Sequence, residues 1–342
     1  MRLKDLKIPG YERVVKCEDE SSGLNAIIAI HNTNLGPAIG GCRVWNYKTE
    51  EDMLNDVLRL SKAMTYKCAM AGLPFGGGKC VIKAKQKEKT KKLLEAMAEF
   101  VNKVGQIYTG EDVGLTMDDV EIMRQKSKYI VGVKDKSGDP SVLTSIGVYY
   151  GMKACLDFIG LPMEKTKVLI QGVGNTGGNL AKRIAQECKE LLLCDLKEEK
   201  MNDAAKNLKA KTCDPKNIFE CKFDVFSPCA LGKVINKKSV KKLYNVGCKV
   251  IAGSANNQLS IDIIGYILKN YGIIYAPDYV INAGGVISVS REITNESDEK
   301  ILERVKNIGN TITEILERSK KENLPTNVIA NIIAEERIYD KN

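Results

Sequence analysis

Apolar residues recur along this chain with two different periods. Ala26-Ile27-Ile28-Ala29-Ile30 is a short, continuous apolar run and predicts a buried strand over 25–30. Met53, Val57, Leu60 and Met64 then recur at steps of 4, 3 and 4, the spacing of one buried helical face. That helix is expected to begin near Glu50, capped by Thr49 with Asp52 three residues on, and to end before Gly72 and Pro74. Cys80-Val81-Ile82 reads as a strand entered from the run Gly76-Gly77-Gly78. The polar segment Val133 to Pro140 reads as a hinge or domain boundary, and a helix follows over about 145–159, ended by Gly160 and Pro162. From Lys167 the order becomes strand, glycine turn, helix, strand. The last third predicts one long helix through Ile301, Val305, Ile308, Ile312 and Ile315, then a final helix to about Arg337.

Composition narrows the class. With 342 residues, 44% hydrophobic and 28% charged, the chain fits roughly two soluble globular domains. No apolar run approaches the roughly 18 residues that span a bilayer, and the N-terminus lacks a signal-peptide core, so a cytoplasmic protein with no membrane partner is expected. The net charge is +9, but the basic stretches Lys83 to Lys92 and Lys237 to Lys242 carry no interleaved aromatics. They read as solvated surface, and no nucleic-acid partner is expected. Eleven cysteines without a Cys-x-x-Cys pair indicate reduced thiols, neither a metal site nor a disulfide framework. His31, the only histidine, follows the apolar run and reads as a structural residue at a strand end. A His–carboxylate dehydrogenase is disfavoured for the same reason.

Chemistry enters at Gly172-Val173-Gly174-Asn175-Thr176-Gly177, a Gly-x-Gly-x-x-Gly between the run Val168-Leu169-Ile170 and a helical pattern of Leu180, Ile184 and Cys188. A second run, Leu191-Leu192-Leu193, ends at Asp195, 23 residues after Gly172. Gly172 permits the tight turn, Gly174 lets the backbone approach a pyrophosphate, and Gly177 allows close packing of helix on strand. Amides at the helix N-terminus receive phosphate charge. Asp195 is placed to accept hydrogen bonds from the adenosine ribose, which favours NAD over its 2′-phosphorylated form.

The N-terminal half carries a second constellation: Lys67, Lys79 behind its glycine run, Asp112 in Thr109-Gly110-Glu111-Asp112-Val113-Gly114, and Gly36-Pro37-Ala38-Ile39-Gly40-Gly41-Cys42-Arg43. Together they suit an α-amino acid: glycine backbone and one lysine for its carboxylate, a second lysine as base, and a carboxylate for proton transfer. Two lysines brought close lower one another's proton affinity, which makes a neutral amine available. Cys42, Cys68 and Cys80 lie beside Gly41, Lys67 and Lys79. Nearby positive charge is expected to make them reactive, unless burial leaves them inert.

On these motifs the sequence resembles the Glu/Leu/Phe/Val amino acid dehydrogenase family. The resemblance extends through Met64-Thr65-Tyr66-Lys67, Gly77-Gly78-Lys79, Glu111-Asp112-Val113-Gly114, Pro228-Cys229-Ala230-Leu231-Gly232, Ala255-Asn256-Asn257-Gln258 and Asn282-Ala283-Gly284-Gly285. It implies reversible oxidative deamination: an L-amino acid, NAD⁺ and water give a 2-oxo acid, ammonia and NADH. It assigns Lys67, Gly40 and Gly41 to the substrate carboxylate, Lys79 as general base, Asp112 as proton relay, Asn257 to positioning, and Thr144 to the carboxamide. Cys229, Ala230 and Asn282 are implied as further cofactor contacts, and no metal is implied.

The implied fold is α/β with two domains. An N-terminal α/β substrate and oligomerisation domain takes 1–140 plus 310–342, and a Rossmann dinucleotide-binding domain takes 141–309, with the active site in the cleft between them. Glutamate-specific members carry a lysine where this chain has Ile39. The leucine-specific members map their pocket onto Ile39, Gly110, Val286 and Val289, all apolar or without a side chain. Leucine, isoleucine and valine are therefore expected to react. Gly110 stands where alanine is expected, which suggests a wider pocket. Together with Ser137-Gly138-Asp139-Pro140 and the triple glycine, it keeps tryptophan or phenylalanine as the alternative. The chain stops at Asn342, short of the tail of leucine-specific members, so a homo-oligomer of at least a dimer is expected rather than an octamer.

Overall fold

A computed structural model of the chain describes residues 1–133 and 139–340. It divides into two compact units: 1–138 with 289–296 and 334–342, and 139–288 with 297–333. The expected division instead put everything from 310 onward with the N-terminal part. Residues 297–333 belong to the second unit because their helices pack on its own first helix, where Ile308 Cδ1 abuts Gly147 and Ile312 Cγ1 abuts Gly151.

The first unit is built on seven strands: β1 (Arg2–Leu6), β2 (Arg13–Asp19), β3 (Leu24–Asn32), β4 (Ala38–Ile39), β5 (Cys42–Trp45), β6 (Gly76–Lys83) and β7 (Ile107–Tyr108). Their order is β1-β2-β3-β6-β4-β7, with β5 paired to β6 beyond the end of β4. Helix α1 (Glu50–Met70) covers one face, and α2 (Lys91–Val104) and α3 (Met117–Arg124) the other. This explains why β3 reads as unbroken apolar sequence. Ile27 and Ala29 pack with Met53 and Val57 of α1, whereas Ala26, Ile28 and Ile30 pack in the core of α2. The α1 cap is as expected: Thr49 Oγ1 accepts from Asp52 N at 3.0 Å and Asp52 Oδ2 from Thr49 N at 3.2 Å. Its buried face drifts, however. Leu60 and Met64 are half-buried, while Ser61, Thr65 and Cys68 are buried.

The glycine run before Lys79 does not precede its strand but lies inside β6. A Cβ on Gly77 would fall 2.5 Å from Thr65 Cα and closer still to its N and Oγ1, so α1 rests directly on the bare strand.

The second unit opens with α4 (Pro140–Phe158), N-capped by Asp139, whose side chain accepts from Ser141 N at 2.9 Å. Of the expected boundary segment and the Ser137-Gly138 motif, residues 134–138 lie outside the described residues. Six parallel strands follow, β8 (Lys167–Gln171), β9 (Glu190–Cys194), β10 (Lys211–Thr212), β11 (Val225–Pro228), β12 (Val250–Ile251) and β13 (Ile274–Tyr275), in the order β10-β9-β8-β11-β12-β13. Helices α5 (Asn175–Ile184), α6 (Glu198–Leu208), α7 (Lys237–Asn245) and α8 (Ile264–Asn270) connect them. This is a doubly wound sheet whose strand order reverses between β8 and β11, the place where such sheets bind nucleotides.

After α9 (Asp278–Ile281) and α10 (Gly284–Thr294) come α11 (Asp298–Lys306) and α12 (Ile308–Glu322), then α13 (Thr326–Tyr339). The single long helix expected here is two helices joined at Asn307. The bonds Asn307 N to Glu303 O and Thr311 N to Asn307 O carry the apolar repeat through the joint, so Ile301, Val305, Ile308, Ile312 and Ile315 are all buried. The cysteines also depart from expectation, since Cys213 and Cys221 are joined as a disulfide. The seven residues between them fold back through a short 3-10 turn at Ile218–Glu220, a closure that spacing along the chain does not reveal.

Candidate active site

In the first unit, alternation along β6 puts Gly77, Lys79 and Val81 on the face covered by α1. Lys79 is only 5% exposed, and its Nζ lies 3.1 Å from Asp112 Oδ2. A buried ammonium needs such a partner, because an unpaired charge is costly away from water. Burial works to raise the proton affinity of Asp112, but Lys79 and Arg43 overcome it and hold the carboxyl below its ordinary range. Gly41 closes over the pair. A Cβ there would lie 2.8 Å from Asp112 Cβ and 3.2 Å from Lys79 Nζ, so only glycine leaves the amine approachable from that side. Gly40 is as tight, with Gly78 C at 2.8 Å. Ile39, immediately before them, is buried between β6 and β7. Lys67 occupies the last turn of α1, half-buried, where a cation also complements the helix dipole.

Gly110 also has a packing reason. A Cβ there would strike the Val131 carbonyl, whose carbon lies at 3.2 Å, at the bridge where Val131 N donates to Thr109 O. The glycine lets the backbone of the 127–131 turn approach. Val289 is half-buried, with Cγ2 3.9 Å from where a Gly132 Cβ would sit. Val286, three residues earlier on α10, is half-buried and counts with the second unit.

The second unit holds the nucleotide turn. Gly172 has φ +98°, a left-handed conformation, and a Cβ there would lie 2.7 Å from Ala230 Cβ, so the loops after β8 and β11 touch. Gly174 caps α5 and has open space around it, the property a phosphate requires. Asn175 and Thr176 form the first turn of that helix. Gly177 packs against Gly172 and the Cys229 Cβ, the latter at 3.1 Å. Asp195 immediately follows β9, where its Oδ2 accepts from Val173 N at 2.8 Å and its Oδ1 from Lys197 N at 2.9 Å. A cavity of about 540 Å³ opens beside it, lined also by Leu196, Met201, Thr212 and Asp214.

Asn282 is buried, donates to Ser254 O and Asn256 Oδ1, and has no partner on Oδ1, a polar atom that a ligand amide would satisfy. Thr144 donates to Pro140 O at 2.8 Å, and its Oγ1 would lie 3.3 Å from a Cβ on Gly285. Asn257 is exposed at φ +52°, and its carbonyl accepts from Lys233 N. Open Gly174, tight Gly177, the terminal acid and the orphaned Asn282 oxygen together fit a dinucleotide.

The expected reactivity of the three cysteines fails on burial, since Cys42, Cys68 and Cys80 are all fully buried. A hydrogen bond with Cys80, together with burial, pushes the Cys42 thiol well above its ordinary value, and burial pushes Cys68 up to about 12. His31 is structural, as expected. Its Nδ1 pairs with Thr65 Oγ1 at 2.8 Å, and its ring meets Tyr11 edge-on. What spacing does not reveal is the continuation of the Lys79–Asp112 pair through Arg43 to Asp56 and Tyr47.

Among the described residues no helix is long and apolar enough to cross a membrane, and no group of three or more His, Cys, Asp or Glu is placed to hold a metal. The family model for the Glu/Leu/Phe/Val dehydrogenase dimerisation domain matches residues 11–135, and that for glutamate/leucine/phenylalanine/valine dehydrogenase matches 186–342. Leucine dehydrogenase of Bacillus cereus is 44% identical over 335 residues, 96% of this chain and 91% of that one. L-Tryptophan dehydrogenase of Nostoc punctiforme is 41% identical over 333 residues, 96% and 94% of the two chains. The crystal structure of the Nostoc enzyme superposes with a TM-score of 0.87, covering 97% of this chain and 96% of that one at 40% identity.

Proposed function

The chain belongs to the Glu/Leu/Phe/Val dehydrogenase family, an amino acid oxidoreductase that uses a nicotinamide cofactor, and from that premise we propose that it catalyses the NAD-dependent, reversible oxidative deamination of leucine, isoleucine and valine. The observation that carries the substrate class is Ile39, buried next to Gly40 and Gly41 and close to the Lys79–Asp112 pair. A glutamate side chain would need a cation there, and Ile39 offers none. A hydrophobic pocket separates substrates differing by one methylene by only about 1–3 kcal/mol, so the three branched amino acids are all used.

In this reading Lys67 and the Gly40–Gly41 backbone hold the substrate carboxylate. Lys79 takes the proton from the water that attacks the imine, and Asp112 carries protons to and from the substrate nitrogen. Ile39, Val286 and Val289 bound the side chain, and Asn257 positions substrate or nicotinamide. The cofactor supplies a hydride acceptor. Gly172 to Gly177 receive its pyrophosphate, Asp195 its adenosine ribose, and Thr144, Cys229, Ala230 and Asn282 its nicotinamide half. Assembly as a homo-oligomer, at least a dimer, follows the description of the N-terminal family model as a dimerisation domain.

The second reading, an aromatic substrate, is favoured by the 41% identity to the tryptophan enzyme. NADH formation at 340 nm with leucine, isoleucine, valine, phenylalanine, tryptophan and glutamate tests both readings. Highest kcat/KM for a branched amino acid supports the first, and highest for tryptophan or phenylalanine replaces it with the second.

A further inference from the structure

Asp112 has a second cationic partner to which the deamination chemistry gives no task. Arg43, on β5, donates from Nε to Asp112 Oδ2 at 2.8 Å and from Nη1 to Asp56 Oδ2 at 2.9 Å. Asp56 sits on α1, where its Oδ2 also accepts from Tyr47 OH at 2.8 Å and its Oδ1 from Arg59 Nη2 at 2.8 Å. The guanidinium therefore bridges two carboxylates, one beside Lys79 and one fixed to the helix that carries Lys67 three turns later. Its side chain is 20% exposed and that of Asp56 18%, so the bridge is largely shielded from water. The fork geometry suits this task, because one guanidinium serves two carboxylates from fixed directions and a lysine does not. Lys79 and Arg43 both fall on the same oxygen of Asp112, Oδ2. Among the described residues nothing bonds to Oδ1, and the Asp112 side chain is 23% exposed, so Oδ1 is the oxygen open to a proton from outside.

We propose that Arg43 is a positioning residue of the reaction: it anchors Asp112 through Oδ2 to α1, so that Oδ1 and Lys79 Nζ keep fixed places toward the substrate nitrogen. The proposal rests on the deamination reading. In the step concerned, one proton passes from the substrate ammonium to Asp112 Oδ1; an N–H bond breaks, an O–H bond forms, and no electrons are exchanged.

The fixed charge has a second consequence. Asp112 is faced by Lys79 from β6, by Arg43 from β5, and by Tyr47 and Asp56 beyond the guanidinium, with Glu111 next to it in the chain and the Cys42 thiol turned to the opposite face of β5. Cys42 and Tyr47 are both pushed up and stay neutral near pH 7. Arg43 is one of the cations that hold the Asp112 carboxyl below its ordinary range, and removing it makes Asp112 hold its proton to higher pH.

The test uses the full chain with Arg43→Gln and Arg43→Lys. Arg43→Gln is expected to move the acid limb of the kcat/KM profile up by about one pH unit. It is expected to lower kcat by roughly tenfold or more through misplacement. NADH binding, followed by fluorescence, stays as in the unsubstituted protein. Arg43→Lys restores the charge without the fork, so the limb returns while kcat stays low. An acid limb that does not move in Arg43→Gln overturns the proposal whatever the loss of activity, and so does an undiminished kcat in Arg43→Lys. Asp56→Asn keeps the Arg43 charge but loosens its anchor, so it lowers kcat without raising the acid limb; it serves if Arg43→Gln does not fold, and an undiminished kcat or a raised limb overturns the proposal. An independent readout is the carboxyl ¹³C titration of Asp112 in substrate-free protein, assigned with Asp112→Asn. It rises in Arg43→Gln, and an unchanged titration overturns the inference. If no L-amino acid is oxidised at all, the proposed function falls, while this titration still decides the role of Arg43.

Discussion

Replacing Gly77 by alanine moves the two lysines apart without touching either of them. The new Cβ would lie 2.5 Å from Thr65 Cα and nearer still to Thr65 N and Oγ1, all in or on the backbone of α1. Carbon atoms rest about 3.5–4.0 Å apart, so strand and helix must separate by at least about 1 Å. Lys79 lies two residues beyond Gly77 on the strand, and Lys67 two residues beyond Thr65 on the helix, so the displacement passes straight to their spacing. A misplacement of that size costs roughly 10²-fold in turnover. Overpacking of this kind also destabilises by about 1–3 kcal/mol. Part of that reflects the Thr65–His31 hydrogen bond, which the same collision disturbs.

Gly78→Ala is the control. Its Cβ meets Ile107 Cδ1 at 2.5 Å and Ala38 Cβ at 3.1 Å, and a side-chain end gives way where a helix backbone does not. The assays are kcat/KM for the preferred amino acid, thermal midpoint, and NADH affinity. Gly77→Ala is expected to lose about two orders of magnitude in kcat/KM, melt a few degrees lower and keep its NADH affinity, with Gly78→Ala much closer to the parent. Activity of Gly77→Ala within a few-fold of the parent, or equal damage from both substitutions, would refute the reasoning.

Three further predictions concern separate groups. Lys79→Ala is expected to lower deamination by roughly 10²–10⁴-fold while NADH fluorescence titration is unchanged; retention of more than about a tenth of the turnover removes Lys79 as the base. Asp195, already holding the amides of Val173 and Lys197, keeps a fixed negative charge where a 2′-phosphate would sit, so kcat/KM for NAD is expected to exceed that for NADP by at least about tenfold, and comparable values contradict this. His31 is pushed down from 6.5 to about 4 by burial and by Lys62. Above pH 6.5 it is neutral folded or unfolded; below that the unfolded chain takes the proton and the native one does not until about pH 4, so native stability falls progressively across this window, by up to about 3 kcal/mol. Urea unfolding across that range should show a shallower pH slope in His31→Gln, and an unaltered slope counts against it.

Local order and local chemistry are legible in the sequence itself. A strand buried on both faces announces itself as an unbroken apolar run, as at 26–30, and a capping box needs only Thr49 and Asp52 in register. The nucleotide turn is legible because its three glycines, its helix and its acid lie within one βαβ unit, so sequence spacing and spatial spacing nearly coincide. Features that depend on distant strands meeting were not legible. Gly110 is required by the carbonyl of Val131, which only the bridge beside β7 brings near. Arg43, Asp56 and Asp112 meet because β5 runs beside β6 under α1, and no pattern in the chain between Arg43 and Asp112, 69 positions apart, encodes that meeting. The thiols mislead for a related reason. Nearness along the chain to a lysine suggests activation, but alternation on β5 and β6 turns Cys42 and Cys80 into the core of α2, away from Lys79.

The central claim, oxidative deamination of an apolar amino acid with NAD, is tested most directly by product stoichiometry together with the leucine-to-glutamate ratio of kcat/KM. The account predicts one NADH, one ammonia and one 4-methyl-2-oxopentanoate per leucine consumed. It also predicts a ratio of at least about 10³, since burying the glutamate carboxylate beside Ile39 without a cation costs several kcal/mol. A ratio near one, or NADH formed without ammonia, would contradict it.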